Sequence, residues 1–329
     1  NGGPGSSSVL GFLQELGPLV FNATGGLMEN PWAWTNVANV VVIESPIGVG
    51  YSYCENQDYT GTICQNTDKF SASAGRAALV DFFTTKFPEY AKNPFFITGE
   101  SYAGVYVPTL AKEVLDHASD VINLQGLAIG DPCTDNTAQE NSMDALWYGH
   151  KYGLVPDQDF RILWHVCNVR LPNPLTWNHR TNVGEAGASD LKKRRMFDHP
   201  GDNFREDSET CRIAWRKFQL SSSDELSQSW KHLFIDDYSF FGPVSDTEDD
   251  NMADFMNRDD VKQALHVVET PIDTWPIPQG GFHYEKEYDA CNGKAEDGAL
   301  SMIDFYRDIA PRIDGPVWVY NGDTDPCVS

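Results

Sequence analysis

The chain has 329 residues, of which 41% are hydrophobic, enough for a sizeable core in one large α/β domain or two ordinary ones. It carries 48 acidic and 24 basic residues, a formal net charge of -24, which argues against nucleic acid as a partner because a phosphate backbone would repel it. No apolar run is long enough to cross a membrane, and the acidity suits an acidic compartment or the outside of the cell.

Four short runs rich in β-branched residues predict buried strands at 39–45, 94–99, 124–130 and 316–322. Between the first two, apolar residues near helical spacing predict a helix with Thr67 or Asp68 as its cap. A second helix is predicted after the strand at 94–99, with Pro108 close enough to its start to be tolerated. The alternation of strands and helices is typical of a parallel α/β sheet.

This alternation breaks between about residues 150 and 250, where the sequence is polar, charged and proline-bearing. We interpret the region as an inserted cap subdomain over the sheet, without a core of its own, in an otherwise single domain of residues 1–329. The α/β pattern resumes with two amphipathic segments, "DDVKQALHV" and "GALSMIDFYRDIAPRI", before the last predicted strand.

Seven cysteines and one glycosylation sequon at Asn22 favour an oxidising compartment and a few disulfides. Cys54 and Cys64 flank a short loop. Cys167 and Cys211 bracket a long polar segment. Either pair is able to close a loop, but the sequence does not fix the connectivity. The eight histidines are scattered without metal-ligand spacing, so neither a metal nor a cofactor is predicted.

A serine follows the second predicted strand in the segment "GESYAG". On a tight turn between a strand and a helix, Ser101 would project from the sheet edge, and the helix N-terminus would stabilise negative charge. Gly99 and Gly104 supply small neighbours, although Ala103 stands where the G-x-S-x-G pattern has glycine. On this motif alone, a serine that only caps a helix is a serious alternative.

Two other segments favour a nucleophile. The opening "NGGPGSSS" would expose backbone N–H groups that hold an oxyanion, although such a turn also occurs for structural reasons alone. The segment "YNGDTD" puts Asp323 and Asp325 after the last predicted strand, where a hydrolase of this kind carries its acid.

Five ordered motifs resemble the serine carboxypeptidase family: "NGGPGSSS", "ENPWAWTNVANVVVIESPIGVGYSY", "GESYAGVYVP", "MNRDDVKQALHV" and "YNGDTD". The resemblance implies an α/β-hydrolase fold, a mostly parallel sheet flanked by helices with an inserted cap. It implies that Ser101 is the nucleophile and forms an acyl-enzyme, that Asp325 is the triad aspartate, and that Asp323 is structural. The backbone N–H groups of Gly3 and Tyr102 would then form the oxyanion hole.

The family holds the terminal carboxylate of its substrate with an asparagine, a neighbouring backbone N–H and two glutamates. The matching positions here are Asn1, Gly2, Glu15 and Glu100. Two carboxyl groups that face a third repel each other unless at least one is protonated, so the resemblance implies activity that is best in acid. Without it, Glu15 is better explained as an exposed helix residue.

The sequence departs from the family at its general base. That base is a histidine downstream of the aspartate in a glycine-histidine segment, and none of the eight histidines matches it. Together with the abrupt start at Asn1, this favours a fragment truncated at both ends, without the N-terminal strands and the C-terminal strand and helix that bear the histidine. Residues 1–329 alone are therefore expected to be inactive.

Two smaller departures concern a cysteine and a basic cluster. Ser6 stands where relatives commonly have a cysteine bonded to a counterpart of Cys291, so Cys291 is expected to be free or otherwise paired. The cluster Lys192–Arg195 lies where some relatives are cut into two chains; a processing site and a solvated loop are about equally consistent with it.

Three functions are consistent with the sequence. The first is a carboxypeptidase of the secretory pathway, vacuolar, lysosomal or extracellular, that acts on peptide or protein C-termini. The second is an acyltransferase on the same scaffold, in which a small alcohol replaces water. The third is a non-catalytic binding partner, if the chain naturally ends at Ser329. Side-chain preference is left open, as is the oligomeric state, with a homodimer among the options.

Overall fold

The computed structural model describes residues 1–22, 25–55, 64–136, 144–151, 153, 155–167, 169, 204–205, 207–222, 246–275, 282–291 and 301–322. The chain divides into two compact units. Unit 1 comprises Asn1–Pro132, Ser245–Tyr288 and Lys294–Tyr320. Unit 2 comprises Cys133–Val244, Asp289–Gly293 and Asn321–Ser329.

Among the described residues, the strands all belong to unit 1. In chain order they are β1 (Leu19–Phe21), β2 (Leu27–Glu29), β3 (Cys64–Thr67), β4 (Phe95–Glu100), β5 (Leu124–Gly130), β6 (Phe282–Glu285) and β7 (Val317–Tyr320). The helices are α1 (Ser8–Gly11), α2 (Asp68–Asp81), α3 (Ala103–His117), α4 (Asp144–Lys151), α5 (Asp157–Arg161), α6 (Glu209–Ser222), α7 (Asp246–Met256), α8 (Asp259–Ala264) and α9 (Met302–Ile309). Single helical turns occupy Phe12–Leu16, Trp34–Asn36, Phe82–Lys86, Pro88–Tyr90, Ile162–Val166 and Ala310–Arg312.

A three-stranded parallel sheet of order β4-β5-β7 positions the candidate nucleophile. Its central strand β5 is rich in buried apolar residues, as expected for a strand paired on both edges. A second parallel pair joins β3 to β6, and β1 pairs antiparallel with β2. The predicted strands at 94–99, 124–130 and 316–322 are confirmed by β4, β5 and β7.

The predicted strand at 39–45 is wrong, because this segment is not part of any strand in the structure. A β-branched run becomes a strand only when a neighbour completes its hydrogen bonds. Among the described residues no neighbouring strand does so, and Val41 in the middle of the run is 44% exposed.

Helices α2 and α3 confirm the two predicted helices of the first half. Thr67 is the cap of α2, since its Oγ1 accepts a hydrogen bond from the Phe70 N–H at 3.1 Å. Pro108 lies inside α3 and has no N–H to donate to the Gly104 carbonyl one turn earlier. The hydroxyl of Tyr306, in α9, donates to that carbonyl instead, at 3.1 Å, so the helix continues through the proline.

Unit 2 has its own hydrophobic cluster, which includes Leu146, Leu163, Trp215 and Phe218. The expectation that the region after about residue 150 lacks a core is therefore wrong for its described part: the apolar positions there are spread over several short helices, and no long periodic run reveals them.

Three disulfides link described cysteines: Cys54–Cys64, Cys167–Cys211 and Cys133–Cys291. The first two are the loop-closing pairs considered from the sequence. The third gives Cys291 a partner other than the family's usual one.

Within the described ranges no helix is long and apolar enough to cross a membrane. The same residues contain no cluster of histidine, cysteine and acidic side chains that could hold a metal ion.

Candidate active site

Ser101 occupies a tight turn between β4 and α3. Its φ of 59° lies in the left-handed region, which a non-glycine residue adopts rarely and at some energetic expense. The Ser101 N–H donates to the Gly130 carbonyl at 3.0 Å, and its own carbonyl accepts from the Gly104 N–H at 2.9 Å. The hydrogen bonds of the surrounding backbone thus hold Ser101 in a conformation that is unfavourable for a non-glycine residue, as in a nucleophile elbow.

Gly99 explains how the turn stays so tight. A Cβ at this position would lie 2.3 Å from the Ala103 Cβ, far inside van der Waals contact. Only glycine lets the end of β4 approach the first turn of α3 this closely. Alanine at position 103 is accommodated, although the G-x-S-x-G pattern has glycine there.

The N-terminal glycine turn packs directly on this elbow. A Cβ on Gly2 would lie 2.5 Å from both the Ser101 Cβ and the Tyr102 backbone nitrogen. Gly3 has a φ of 111°, and the Ser6 N–H closes the turn on the Gly2 carbonyl at 3.1 Å. The structure therefore brings together the two segments that carry the predicted oxyanion donors, Gly3 and Tyr102.

The residues predicted to hold a substrate carboxylate also lie together. The side chains of Asn1 and Glu15 both flank Gly11, because a Cβ there would lie 2.6 Å from the Asn1 Oδ1 and 3.5 Å from the Glu15 Oε2. Glu100 immediately precedes Ser101, the candidate nucleophile. Burial, followed by the negative charges of Asp131, Glu100 and Glu15, raises the pKa of Tyr320. The charges of Glu15 and Glu100 therefore both contribute to the raised pKa of the Tyr320 phenol.

Asp131 is a third carboxylate in this area that the sequence analysis did not single out. It follows β5 with a φ of 41°, and its N–H donates to the Tyr320 carbonyl at 2.8 Å. The sequence does place Asp131 directly after a predicted parallel strand, at the same sheet edge as Ser101, and this position indicates a candidate site residue.

Two carboxylates, the buried Asp68 and the half-buried Glu44, support the site from behind, and neither role follows from a local motif in the sequence. Asp68, considered only as a helix cap, accepts hydrogen bonds from the phenols of Tyr102 at 2.8 Å and Tyr284 at 2.6 Å. Glu44 accepts from the Ser7 hydroxyl, just after the glycine turn, and from the Tyr51 N–H at 2.5 Å. Burial raises the pKa of both carboxyl groups. Their partners lie far away in sequence, so no local motif reveals them.

Several predicted positions lie outside the described residues. Asp323, Asp325 and the Lys192–Arg195 cluster are among these, as are the second and third residues of the sequon at Asn22. The Asn22 Oδ1 accepts a hydrogen bond from the Gly26 N–H at 2.9 Å.

Comparison with known proteins gives a consistent result. A family model described as serine carboxypeptidase matches residues 1–329. Serine carboxypeptidase-like 32 of Arabidopsis thaliana is 33% identical over 342 residues, covering 99% of this chain and 66% of the relative. The lysosomal protective protein of Mus musculus is 44% identical over 168 residues, covering 51% of this chain and 33% of the relative.

A solved structure shares the fold. The crystal structure of Kex1(delta)p, a prohormone-processing carboxypeptidase from Saccharomyces cerevisiae, superposes with a TM-score of 0.65 at 19% identity, over 99% of this chain and 64% of that one. The predicted α/β-hydrolase fold is thereby confirmed. The chain spans about two thirds of the length of the full-coverage relative and of the solved structure.

Proposed function

We propose that this chain, which belongs to the serine carboxypeptidase family, functions as a serine-type carboxypeptidase that releases C-terminal residues at acidic pH through an acyl-enzyme on Ser101. The observation that carries the proposal is the packing of Gly2 against the Ser101 elbow beside Asn1, Glu15 and Glu100. An elbow alone fits many acyl transfers. The added carboxylate-binding group selects a substrate with a free C-terminus.

In the proposed reaction the Ser101 Oγ attacks the carbonyl carbon of the last peptide bond. The oxygen that becomes negative accepts hydrogen bonds from the N–H groups of Gly3 and Tyr102. Collapse of this intermediate breaks the C–N bond. The proton given up by the Ser101 hydroxyl passes to the leaving nitrogen, the terminal amino acid is released, and an acyl-serine ester remains, which water hydrolyses to the shortened peptide and free Ser101. Asp325 as the acid of the triad remains a prediction from the sequence.

Substrate binding explains the expected preference for acid. Glu15 and Glu100 would face the carboxylate of the substrate, and three ionised carboxylates in one site repel each other. A proton on one glutamate removes a negative charge and turns that group into a hydrogen-bond donor. We therefore expect the Michaelis constant to rise as the pH approaches neutrality.

None of the eight histidines lies in the glycine-histidine segment downstream of the aspartate that supplies the family's proton acceptor. A serine hydroxyl without a base is a weak nucleophile. We therefore expect a polypeptide of residues 1–329 alone to be inactive, and the test of function uses protein expressed from its complete coding sequence.

The experiment compares one peptide with a free C-terminal carboxylate and the same peptide with a C-terminal amide, from acidic to neutral pH. We expect release of the last residue from the free peptide only, with its maximum in acid. Ser101→Ala should abolish release. Ser73→Ala, at a half-buried serine of α2 whose hydroxyl bonds a carbonyl of its own helix, should leave it unchanged.

Equal cleavage of the amidated peptide would contradict the role of Asn1, Glu15 and Glu100. Acyl transfer from a glucose ester to a small alcohol, in excess of peptide hydrolysis, would instead identify an acyltransferase. Failure of the complete protein to process either substrate would leave a non-catalytic binding protein.

We also propose a location in the secretory pathway, vacuolar, lysosomal or extracellular. One relative carries the name lysosomal protective protein. Three disulfides among the described residues fit passage through an oxidising compartment. The net charge of -24 fits an acidic destination.

A further inference from the structure

We propose that Asp68 is a positioning residue for the oxyanion hole: its carboxylate holds the phenol of Tyr102 and thereby fixes the Tyr102 N–H that faces the nucleophile turn. The inference rests on the proposed function, since it assigns a role to a group behind the same site. It concerns a residue that contacts neither substrate nor Ser101.

Both oxygens of the Asp68 carboxylate accept hydrogen bonds. One oxygen, Oδ1, accepts from the Tyr102 hydroxyl at 2.8 Å and from the Tyr284 hydroxyl at 2.6 Å. The other, Oδ2, accepts from the Glu287 N–H at 2.5 Å. Asp68 is 1% exposed, so each of these donors would lose its partner in a dry environment if the carboxylate were removed.

Tyr102 connects this acceptor to the reacting centre. Its backbone nitrogen belongs to the elbow, within 2.5 Å of where a Gly2 Cβ would stand, and its ring is completely buried. The ring packs edge-on against Tyr106 and Tyr284, and the ammonium of Lys286 lies 5.3 Å from its centroid. The residue is therefore held at both ends, by the turn and by Asp68.

The same support reaches the other half of the oxyanion hole. In β6, Phe282 and Tyr284 point to one face of the strand and stack with centroids 6.0 Å apart. Tyr284 binds Asp68, while Phe282 lies directly under Gly5, whose Cβ would come 2.7 Å from the ring. The β3–β6 pair thus carries both the glycine turn and the Tyr102 side of the elbow.

A carboxylate suits this position better than an amide does. All three groups that face Asp68 are donors, and a carboxylate only accepts. Asparagine would turn an NH₂ group toward either the Glu287 N–H or the two phenols. Toward Glu287, two donors would oppose each other. Toward the phenols, the hydroxyls would have to turn and accept instead of donating. In both cases the hydrogen bonds around position 68 rearrange, and the Tyr102 phenol is held less firmly.

The experiment uses the complete protein with four variants: Asp68→Asn, Tyr102→Phe, Tyr284→Phe and Asp81→Asn. Tyr102→Phe retains the ring and removes only the hydroxyl that reaches Asp68. Tyr284→Phe removes a hydrogen bond to the same oxygen but leaves the hydroxyl of Tyr102 in place. Asp81, exposed at the last position of α2, is the matched control for the loss of a carboxylate.

We expect kcat to fall about tenfold in Asp68→Asn and Tyr102→Phe with little change in KM, because an oxyanion contact forms only in the transition state. Tyr284→Phe should change kcat by less than about twofold, and Asp81→Asn not at all. The double variant Asp68→Asn/Tyr102→Phe should be no slower than either single one, since both remove one interaction.

A second readout is independent of catalysis: hydrogen exchange at the Tyr102 amide, measured by mass spectrometry. Asp68→Asn and Tyr102→Phe should speed exchange there relative to Asp81→Asn. If the unsubstituted protein releases no amino acid, the proposed function fails and exchange alone decides the role of Asp68. Equal exchange in Asp68→Asn and the control, or equal loss of kcat in the two tyrosine variants, would overturn the positioning role.

Discussion

At the scale of single residues, the elbow is defined by positions where a Cβ cannot fit. Gly2 and Gly99 approach the turn from opposite segments, and each would overlap its neighbour by more than an ångström if it carried a side chain. Ser101 itself takes the left-handed conformation that glycine normally takes. Ser101, the proposed nucleophile, is thus positioned by the packing of two glycine-bearing segments and by its own backbone conformation.

Gly2→Ala tests this packing. Its Cβ would push against the Ser101 Cβ and the Tyr102 nitrogen, and backbone cannot yield as a flexible side chain does. We expect kcat of the complete protein to fall about a hundredfold, the loss typical of a reacting group displaced by an ångström. Turnover of a C-terminally free peptide measures it.

Gly75→Ala provides the control. The Cβ would lie 3.3 Å from the Leu110 Cδ1, the movable end of a side chain, and alanine favours the helix α2. It should keep full activity. Equal activity in the two variants would mean that Gly2 does not pack on the nucleophile.

The sequence reveals the residues of the site that belong to local motifs. Ser101, Gly2 and Gly3 lie in short glycine-bearing segments whose backbone conformation depends on nearby residues. Asp68 and Glu44 could not be assigned in this way. Each accepts hydrogen bonds from groups distant in the chain, and a single acidic residue gives no periodic or spacing signal.

At the scale of elements, the start of α2 has two tasks. Thr67 caps the helix through its Oγ1, and the next residue, Asp68, turns its carboxylate inward to Tyr102 and Tyr284. The helix cap therefore fixes the backbone from which the buried carboxylate projects. Strand β3 leads directly into this helix start, since its pairing with β6 ends at Thr67.

Thr67→Ala is expected to lower the free energy of unfolding by about 1 kcal/mol, the usual loss for a missing N-cap. Denaturant unfolding followed by circular dichroism measures it. Ser73→Ala, whose exposed hydroxyl donates to a carbonyl of its own helix, should be neutral or slightly stabilising. A Thr67→Ala loss no larger than that of Ser73→Ala would contradict the capping role.

The elements themselves differ in how far the sequence predicts them. Helix α2 and strands β4 and β5 have strong local signals, an N-cap or a continuous apolar run, and these signals agree with their surroundings. The segment 39–45 has the same β-branched composition but is not a strand, because pairing is decided by a neighbour and not by composition. The cluster in unit 2 is missed for a related reason: its members come from several short elements.

At the scale of the whole molecule, the net negative charge and the carboxyl groups of Glu44 and Asp68 both make the folded state more stable in mild acid than at neutral pH. The net charge of -24 at neutral pH gives a self-repulsion that protonation relieves. Burial raises the pKa of Glu44 above its ordinary 4.5 and that of Asp68 above its ordinary 3.8. In each case the folded state binds the proton more tightly than the unfolded chain does.

The sign of the linkage follows. The stability contributed by a carboxyl group with a raised pKa is complete below its unfolded pKa and is lost as the pH rises through the folded one. Asp116 opposes this at the acid end: hydrogen bonds from Lys112 and Arg312 lower its pKa to about 2, so its contribution is lost as the pH falls from 3.8 toward that value. Stability should therefore be greatest in mild acid.

Calorimetric unfolding across this range gives the test, with Glu44→Gln as the variant. Glutamine mimics the protonated carboxyl, since it accepts from the Tyr51 N–H and donates to the Ser7 hydroxyl. We expect the decline of Tm from mild acid to neutrality to become shallower in Glu44→Gln. Glu29→Gln, at an exposed glutamate of β2, should retain the decline. Identical profiles for the two variants would exclude Glu44 as its source.

The hydrogen bond between Tyr284 and Asp68 spans 216 residues of the chain. During synthesis, α2, the elbow and α3 emerge from the ribosome long before the strand that completes their support. Contacts between such distant segments also form slowly, because a long loop must close first. The nascent chain thus carries Ser101 early and the aromatic residues of β6, which pack against Gly5 and Tyr102, late, so the surroundings of the elbow are completed only after most of residues 1–329 have been made.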